Sequence, residues 1–294
     1  MARASVCVIW VDWYAYHVAR FRAIAEHPAT EGRAVGIELV GGSGVHQGMV
    51  FRSGERSGLN IQSLLPTTGW NQVEQDRLVR LLWQRLNDLD PETVLVPGYY
   101  TAPGLTAAVW AKRKGRRSIL MTESTRRDHR RSWWKEAAKG KLIRGLFDAA
   151  ITGGTAHRSY LHELGISPEQ MGKYYDVVDN AFYRRGAEAC RGSASRDALG
   201  LPQSYFLYVG RLSPEKNLSA LIASFAAVKS AGWNGSLVLV GDGPEREQLR
   251  QQTQALSLEK SVLFPGLKSA AELLPFYAFA HAFVLPSLRE PWGL

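Results

Sequence analysis

The stretch Tyr208-Val-Gly-Arg-Leu-Ser-Pro-Glu-Lys-Asn217 ends an apolar run and leads into a helical pattern. Gly210 lacks a side chain, so the backbone can turn sharply there or approach a ligand closely. Arg211 then stands at the carboxyl end of a predicted strand, where open α/β sheets bind ligands. Lys216 follows in the turn before the next helix. Two cations placed in this way can neutralise a diphosphate and stabilise it as a leaving group. The alternative is a basic loop that pairs with Glu215 or with nothing.

Strands and helices alternate on both sides of this stretch. Strands of this length, separated by helices of roughly ten to fifteen residues, predict βαβ units and parallel sheets. The predicted strands cover 5–11, 34–40, 93–97, 118–122, 149–152, 173–178, 205–209, 236–240, 262–264 and 282–285. The predicted helices cover 15–26, 72–87, 101–114, 133–146, 155–164, 218–230, 245–256 and 270–278.

The alternation is interrupted once. Between 182 and 200 the residues are small or charged and lack apolar periodicity, as in a linker. We therefore predict a first domain at 1–180, a linker at 181–200 and a second domain at 201–294. No helix pattern follows the last predicted strand, and a parallel strand needs a covering helix, so we expect the second domain to be incomplete.

Further motifs follow the opening stretch in order. Leu237-Val-Leu-Val-Gly-Asp-Gly-Pro-Glu245 is a strand that leads into a turn bracketed by Gly241 and Gly243. This turn can lie beside a phosphate or ribose, or it can simply connect the strand to the helix. Phe264-Pro-Gly266 and Phe283-Val-Leu-Pro-Ser-Leu-Arg-Glu-Pro-Trp-Gly-Leu294 complete the series.

This ordered set resembles the donor domain of retaining glycosyltransferases of family 4, over almost all of 201–294. The resemblance implies the α/β fold called GT-B, in which two Rossmann-like domains with parallel sheets face a cleft. It implies that Arg211 and Lys216 contact a donor diphosphate and that Glu290, the first residue of a Glu-x7-Glu pair, contacts the donor sugar. The backbone amides of Gly293 and Leu294 would approach the phosphate. The second glutamate and the closing helix would fall beyond Leu294, so we expect a truncated donor domain.

The function implied is transfer of a sugar from a nucleotide diphosphate-sugar to an acceptor hydroxyl, with retention at the anomeric carbon. The acceptor would be a glycan or a lipid-linked molecule in glycan or polysaccharide biosynthesis. Because two cations would stabilise the leaving diphosphate, no metal or other cofactor is expected. The alternatives are a non-catalytic remnant that binds nucleotide, lipid or a partner, and a sugar-nucleotide epimerase of the same fold.

The first half resembles that family more loosely. Its first strand ends in Trp10-Val-Asp-Trp-Tyr-Ala-Tyr-His17, and the residues suited to holding an acceptor sugar by stacking and hydrogen bonding are Asp12, Tyr14, Tyr16 and His17. The same side chains would equally fill a corner between strand and helix.

Glu123 follows another predicted strand. A carboxylate at that strand end can orient an acceptor hydroxyl or act as its base. The alternative is that this segment caps the next helix through Ser124 or Thr125.

The net charge of +9 is concentrated in one window, Lys112–Arg144, which holds thirteen basic and three acidic residues. Arg126, Arg127, Arg130, Arg131, Trp134 and Lys141 recur at spacings expected for one face of a helix. A solvated basic face is one interpretation. Docking to an anionic membrane through these cations and Trp133 and Trp134 is another. Nucleic acid is not expected as a partner, since no recognised module supports it.

The remaining chemistry-bearing residues favour no metal or disulfide site. Cys7 and Cys190 are unpatterned and fit a reducing cytosol, and no membrane span or signal peptide is predicted. We therefore expect a cytoplasmic protein, peripheral to the inner face of the membrane if it docks there. Asp88-Leu-Asp90 matches the Asp-x-Asp of metal-dependent glycosyltransferases but precedes its strand, which favours a helix end. His157 and His162 lack metal-ligand spacing and are predicted to lie on the surface.

Overall fold

The computed structural model describes residues 4–42, 56–128, 132–173, 175–193, 196 and 200–290. Its described residues form two compact units. Unit 1 extends to Val178, and unit 2 extends from Asp179 to Glu290. Among the described residues, no helix is both long enough and apolar enough to cross a bilayer.

Unit 1 contains a parallel sheet of seven described strands in the order β3-β2-β1-β4-β5-β6-β7. The strands are β1 (Val6–Trp10), β2 (Ala34–Val40), β3 (Ile61–Leu65), β4 (Thr93–Pro97), β5 (Arg117–Thr122), β6 (Ala149–Thr152) and β7 (Met171–Lys173). The helices are α1 (Ala15–Ala25), α2 (Gln75–Leu89), α3 (Ala102–Arg113), α4 (Trp133–Leu146) and α5 (Thr155–Glu163).

Both faces of this sheet are covered. Successive residues of a strand point to opposite faces, and β1 shows the result: Cys7 and Ile9 join one buried cluster, whereas Val8 and Trp10 join another. On one face α2 contributes Leu78, Leu82 and Leu86, which recur every four residues and are fully buried. The all-buried β2 fits this arrangement, because a central parallel strand packs apolar residues on both sides.

Unit 2 repeats the scheme with four described parallel strands in the order β10-β9-β8-β11. They are β8 (Tyr205–Val209), β9 (Ser236–Val240), β10 (Val262–Gly266) and β11 (Ala282–Phe283). The helices are α6 (Asn180–Ser193), α7 (Leu218–Ser230), α8 (Arg246–Ala255) and α9 (Ala270–Phe279). The α/β class with parallel sheets is therefore confirmed.

Two local predictions are wrong, and one strand was not predicted. The segment 181–200 was predicted to be a linker, but most of it forms α6. Its small residues serve packing: a Cβ added at Gly186 would lie 2.5 Å from the Leu274 side chain of α9. The predicted strand at 173–178 is instead β7, at Met171–Lys173, and β3 was not predicted.

The carboxyl ends of β8 and β9 lie in close backbone contact, which glycines at these positions permit. Gly241 has φ +137°, and a Cβ there would lie 1.9 Å from the Gly210 carbonyl oxygen. A Cβ at Gly243 would lie 2.3 Å from the Leu212 carbonyl oxygen. Glycine is therefore required at both positions for these loops to meet.

We predict that Gly241→Ala destabilises the chain by about 3 kcal/mol or more, because the new methyl group collides with backbone that has no room to move. The matched control is Gly232→Ala, where φ is +94° but nothing lies within 4 Å of the added Cβ. That control reports backbone strain alone, about 1 kcal/mol. Denaturant unfolding followed by circular dichroism measures both, and equal losses would contradict the close-contact explanation.

Candidate functional site

Two residues predicted to be catalytic meet at the carboxyl end of the unit 2 sheet. Lys216 Nζ lies 2.5 Å from Glu290 Oε1, and the two side chains are 20% and 21% exposed. They are far apart in sequence, but β11 lies beside β8 in the sheet, so the segments that follow these strands converge. Ser287 Oγ also donates to Glu290 Oε1, at 2.7 Å. The Glu290 carboxylate is therefore fixed by a cation and a hydroxyl.

The backbone around this pair is fixed by contacts between the same two segments. The Leu288 amide donates to the Glu215 carbonyl oxygen at 2.8 Å, and Asn217 Nδ2 donates to the Pro286 carbonyl oxygen at 3.2 Å. Glu215 accepts from Ser213 Oγ at 2.6 Å, and this hydrogen bond holds the pKa of that carboxyl below its usual value. Lys216 thus pairs with Glu290, and the alternative of a basic loop that pairs with Glu215 or with nothing is wrong.

Arg211 lies at the same strand end. Its carbonyl oxygen accepts from the hydroxyl of buried Tyr208 at 2.8 Å, which fixes the backbone. None of the described residues forms a hydrogen bond or an ion pair with its guanidinium group. The strand end therefore offers one cation held by a carboxylate and a second with its donors available to a ligand.

The glycines predicted to bind the donor have their amides engaged within the protein. The Gly210 amide donates to Val240, the Gly241 amide donates to Gly266, and the Gly243 amide donates to Asp242 Oδ1, at 2.8–3.0 Å. These three glycines therefore contribute close backbone packing, and any donor contact they make would not use these amide protons. Gly293 and Leu294 lie outside the described residues.

The predicted acceptor residues of unit 1 form a tight corner between β1 and α1. The Tyr14 hydroxyl donates to Asp12 Oδ2 at 2.6 Å, and His17 Nδ1 accepts from the Tyr14 amide at 3.2 Å. The His17 ring stacks on Trp10 with ring centroids 4.5 Å apart. Burial, and then the charge of Arg20, lower the pKa of His17 well below its usual value, so its imidazole is neutral. Tyr14 is 5% exposed and mainly supports the corner.

A buried ion pair beside this corner was missed. Arg20 pairs with Asp176 at side-chain exposures of 6% and 1%, and Arg20 Nε donates to the Val177 carbonyl oxygen at 2.8 Å. The Arg20 guanidinium also lies over the Tyr16 ring, 4.7 Å from its centroid. The sequence feature that could have indicated a role for Arg20 is its position four residues after Tyr16, on a helix that packs against the sheet.

Glu123 lies against this ion pair. The Tyr175 hydroxyl donates to Glu123 Oε1 at 3.2 Å. Burial, and next Asp176, raise the pKa of Glu123 from its ordinary 4.5 to about 8, although Tyr175 and Arg20 oppose the shift. Glu123 is therefore mostly protonated at neutral pH, so it can donate a hydrogen bond and, once deprotonated, can accept a proton.

The capping alternative for the segment after Glu123 is wrong. The next helix, α4, begins only at Trp133. The Ser124 amide donates to Thr122 Oγ1 at 3.1 Å. Thr125 is closed into a turn by Asp128, whose Oδ2 accepts from the Thr125 amide at 2.6 Å.

The residues that mimic a metal site have structural partners. Asp90 ends α2 and binds Arg116 in a two-pronged contact at 2.8–3.1 Å, which agrees with the helix-end interpretation. His157 was predicted to lie on the surface, but it is buried and its Nδ1 accepts from the Gly154 amide at 3.0 Å at the start of α5. Among the described residues, no group of three His, Cys, Asp or Glu side chains could hold a metal ion.

The basic window does not form one helical face. Because α4 begins at Trp133, Arg126 and Arg127 precede it; Arg130 and Arg131 lie outside the described residues. Several of the cations are neutralised locally, as in the pairs Lys112–Asp148, Arg116–Asp90, Arg126–Glu163 and Lys139–Glu136. Trp133 and Trp134 are 83% and 57% exposed, which is unusual for large aromatic side chains.

Comparison with known proteins finds that unit 2 is similar to glycosyltransferase domains. Residues 194–294 match the family model of glycosyl transferases group 1. An alpha-monoglucosyldiacylglycerol synthase of Streptococcus pneumoniae is 35% identical over 101 residues, which are 34% of this chain and 23% of that protein. A lipopolysaccharide core biosynthesis glycosyltransferase, LpsD of Rhizobium meliloti, is 40% identical over 133 residues, 45% of this chain and 36% of that protein. The shared region thus spans about a quarter to a third of these relatives.

The fold extends to solved structures across almost the whole chain. Anabaena Alr3699/HepE in complex with UDP and glucose superposes with a TM-score of 0.69 at 16% identity, covering 98% of this chain and 76% of that one. UDP-N-acetylglucosamine 2-epimerase of Rickettsia bellii gives a TM-score of 0.62 at 18% identity, covering 96% and 73%. At such identities these likenesses show a shared fold.

We predict that Glu123 makes the stability of the chain depend on pH. Between about pH 4.5 and pH 8 the unfolded state has lost the Glu123 proton while the folded state retains it, so the free energy of unfolding falls as pH rises. Glu123→Gln stays neutral, so its free energy of unfolding should exceed that of wild type by on the order of 2–4 kcal/mol between about pH 5 and pH 8. Urea unfolding of both proteins across this range measures the difference. Parallel stability curves would show that Glu123 titrates normally.

Proposed function

We propose that this chain acts as a retaining glycosyltransferase on a nucleotide diphosphate-sugar, through the cation pair at the carboxyl end of β8. The observation that carries this proposal is the arrangement of Lys216, Glu290 and Arg211 at one strand end. The family match of residues 194–294 and the glycosyltransferase names of the relatives support the same chemistry.

The reaction breaks the bond between the anomeric carbon and the diphosphate oxygen and forms a bond between that carbon and the acceptor hydroxyl oxygen, whose proton passes to the departing diphosphate. Negative charge accumulates on the diphosphate as it leaves. Arg211 offers donors that no described residue occupies. Lys216 has three donors, of which Glu290 takes at least one. Both cations would therefore stabilise the leaving group without a metal ion. Glu290, held by Lys216 and Ser287, would accept hydrogen bonds from the hydroxyls of the donor sugar.

The acceptor would be bound by unit 1. Glu123 lies at the carboxyl end of β5 next to the β1–α1 corner, and its partly exposed carboxyl group would orient the acceptor hydroxyl. Asp12, Tyr16 and His17 would form the rest of the acceptor-binding surface, and Tyr14 would support them. The acceptor proposed is a glycan or a lipid-linked molecule.

We predict that Arg211→Ala weakens the binding of the preferred nucleoside diphosphate by about 10- to 100-fold, the effect of losing charged hydrogen bonds to phosphate. Calorimetry against UDP, GDP and ADP identifies the preferred nucleotide, and turnover of the matching sugar nucleotide should fall as well. Lys229→Ala is the matched control, because this lysine lies at the opposite end of α7, and its hydrogen bond within the described part of the chain goes to the Gly235 carbonyl oxygen at 3.5 Å. Unchanged affinity in Arg211→Ala, or no binding of any of the three nucleotides by wild type, would contradict the proposed donor site.

Analysis of the products separates this proposal from its alternatives. A new glycoside with the donor's anomeric configuration indicates retaining transfer, whereas an epimerised sugar nucleotide indicates the chemistry of the epimerase that shares the fold. Nucleotide binding without any turnover indicates a non-catalytic protein.

A second proposal concerns location. We infer that the protein is cytoplasmic and docks peripherally on an anionic membrane surface through the cations of Lys112–Arg144. Lys135 and Lys141 are exposed on α4, and the Lys135 ammonium group lies over the ring of exposed Trp134, 5.2 Å from its centroid. Cations next to an exposed tryptophan suit the interface of a bilayer rich in anionic lipid.

We predict that the chain floats with phosphatidylglycerol vesicles but not with phosphatidylcholine vesicles at low salt. Lys135→Glu/Lys141→Glu should abolish flotation, since each surface cation contributes about 1 kcal/mol to such binding. Arg250→Glu/Lys260→Glu, which reverses two exposed cations of unit 2, is the control for net charge. An equal loss in both double variants would show that total charge, and not this surface, governs binding.

A further inference from the structure

Tyr100 is an exposed aromatic side chain at the carboxyl edge of the unit 1 sheet, and none of the sites described above uses it. It follows β4 in the short segment that leads to α3, and it is 78% exposed. A single exposed apolar side chain is common and needs no function. Tyr100 differs from such a residue in its position beside Glu123 and in the contacts that fix its backbone.

The topology of the sheet brings Tyr100 to the same edge as Glu123. β4 and β5 are parallel neighbours, and Pro97 aligns with Met121 in their register. The Gly98 amide continues this ladder to the Met121 carbonyl oxygen at 2.9 Å. Tyr100 and Glu123 follow within three residues of the aligned pair, so both lie where open α/β sheets bind ligands.

The backbone is fixed on both sides of Tyr100. Before it, buried Gly98 adopts φ +79°, a conformation that favours glycine. After it, Thr101 caps α3, and its Oγ1 accepts from the Gly104 amide at 3.2 Å. The Tyr100 ring lies against Gly98, since a Cβ there would be 2.8 Å from Tyr100 Cε1. The ring is therefore presented to solvent from a fixed position.

The preceding residue, Tyr99, packs this segment onto the protein. It is half-buried against the largest core cluster of unit 1, and its hydroxyl donates to Ser124 Oγ at 3.5 Å. The Lys139 ammonium group lies over the Tyr99 ring, 5.9 Å from its centroid. The rings of Tyr99 and Tyr100 meet edge to face, with centroids 6.4 Å apart. Tyr99 thus anchors the segment, while most of the Tyr100 side chain stays open to a ligand.

The surroundings of the Tyr100 ring restrict that ligand. A sugar ring has an apolar face of C–H groups and hydroxyl groups at its periphery, so it can stack on a tyrosine while it hydrogen bonds to Glu123. A lipid tail would cover the half-buried polar side chains of Glu123, Ser124 and Thr101 without replacing their contacts with water. A nucleobase can also stack on tyrosine, and nucleotide affinity distinguishes it from a sugar.

We propose that Tyr100 is a stacking residue for the acceptor, with its exposed ring packed on the apolar face of the sugar whose hydroxyl group Glu123 orients. This inference rests on the proposed function and deepens it, because it makes the reacting unit of the acceptor a sugar ring and not the hydroxyl group of a lipid. Tyr100 positions this sugar and takes no part in the bonds that form and break.

The test measures binding of methyl glycosides and disaccharides of common hexoses to the 294-residue chain by ligand-observed NMR, with and without UDP, GDP or ADP. Tyr100→Ala should weaken the affinity for the best glycoside about tenfold, since the aromatic contact is lost. Tyr100→Phe keeps the ring and should stay within about twofold of wild type. Circular dichroism checks that the variants fold.

Leu142→Ala is the control for loss of an exposed apolar side chain. Leu142 is 41% exposed and lies in the last turns of α4, toward the opposite edge of the sheet, where β6 begins. Its glycoside affinity should equal that of wild type.

The inference is overturned if wild type binds no glycoside, if Tyr100→Ala binds as well as wild type, or if Tyr100→Phe loses as much affinity as Tyr100→Ala. Weaker nucleotide binding in Tyr100→Ala with unchanged glycoside affinity would also overturn it, in favour of a stacked nucleobase. Glycoside binding that depends on Tyr100, in a chain that binds no nucleotide, would support the stacking role while contradicting the proposed function. Nucleotide binding that depends on Arg211, without any effect of Tyr100→Ala on glycosides, would do the reverse.

Discussion

The ion pair between Lys216 and Glu290 depends on one topological constraint, the parallel pairing of β11 with β8. Ala282 and Phe283 align with Phe206 and Leu207, and the Val284 amide continues this ladder to the Leu207 carbonyl oxygen at 2.8 Å. This register brings the segments after the two strands to the same sheet edge. On the other side of β8, Gly241 lets the end of β9 lie directly against Gly210, which fixes the backbone that leads to Arg211.

The two units hold charge by different physical means. In unit 2, Lys216 and Glu290 remain one-fifth exposed and neutralise each other, so a ligand anion can compete for the cation without opening a core. In unit 1, Arg20 and Asp176 are almost fully buried, where separating the pair would leave an uncompensated charge. Glu123 is largely buried beside that pair, so burial first, and then the neighbouring Asp176, raise its pKa and the proton is retained. The first arrangement suits exchange of an anionic ligand, and the second suits a fixed hydrogen-bond donor.

The sequence predicted best where apolar runs and turn residues agreed, as in β2, and in β4, β6, β8 and β9 with their following helices. It missed β3 because that strand lies at a sheet edge, is only partly buried and carries Gln62 and Ser63 between its apolar residues. It misread α6 because Gly186 and its small neighbours serve close packing on α9, and composition alone does not distinguish such a face from a linker. The roles proposed for Lys216 and Glu290 came from motif order. Local spacing could single out Arg20, but its partner Asp176 is too distant in the sequence for a local pattern to reveal the pair.

In the basic window, too, the contacts of the side chains differ from what the composition suggests. Counted along the sequence, Lys112–Arg144 is a strongly cationic segment, and a polyanion is the natural partner for it. The contacts divide this charge: Arg126 and Arg144 turn toward Glu163 and the Leu164 carbonyl oxygen, whereas Lys135 and Lys141 stay exposed on α4. A ligand responds to the charges within about a Debye length of where it binds and to their fixed partners, and not to the sum over a segment. The attraction of this window for a polyanion is therefore set by exposed cations such as Lys135 and Lys141 and not by its total charge.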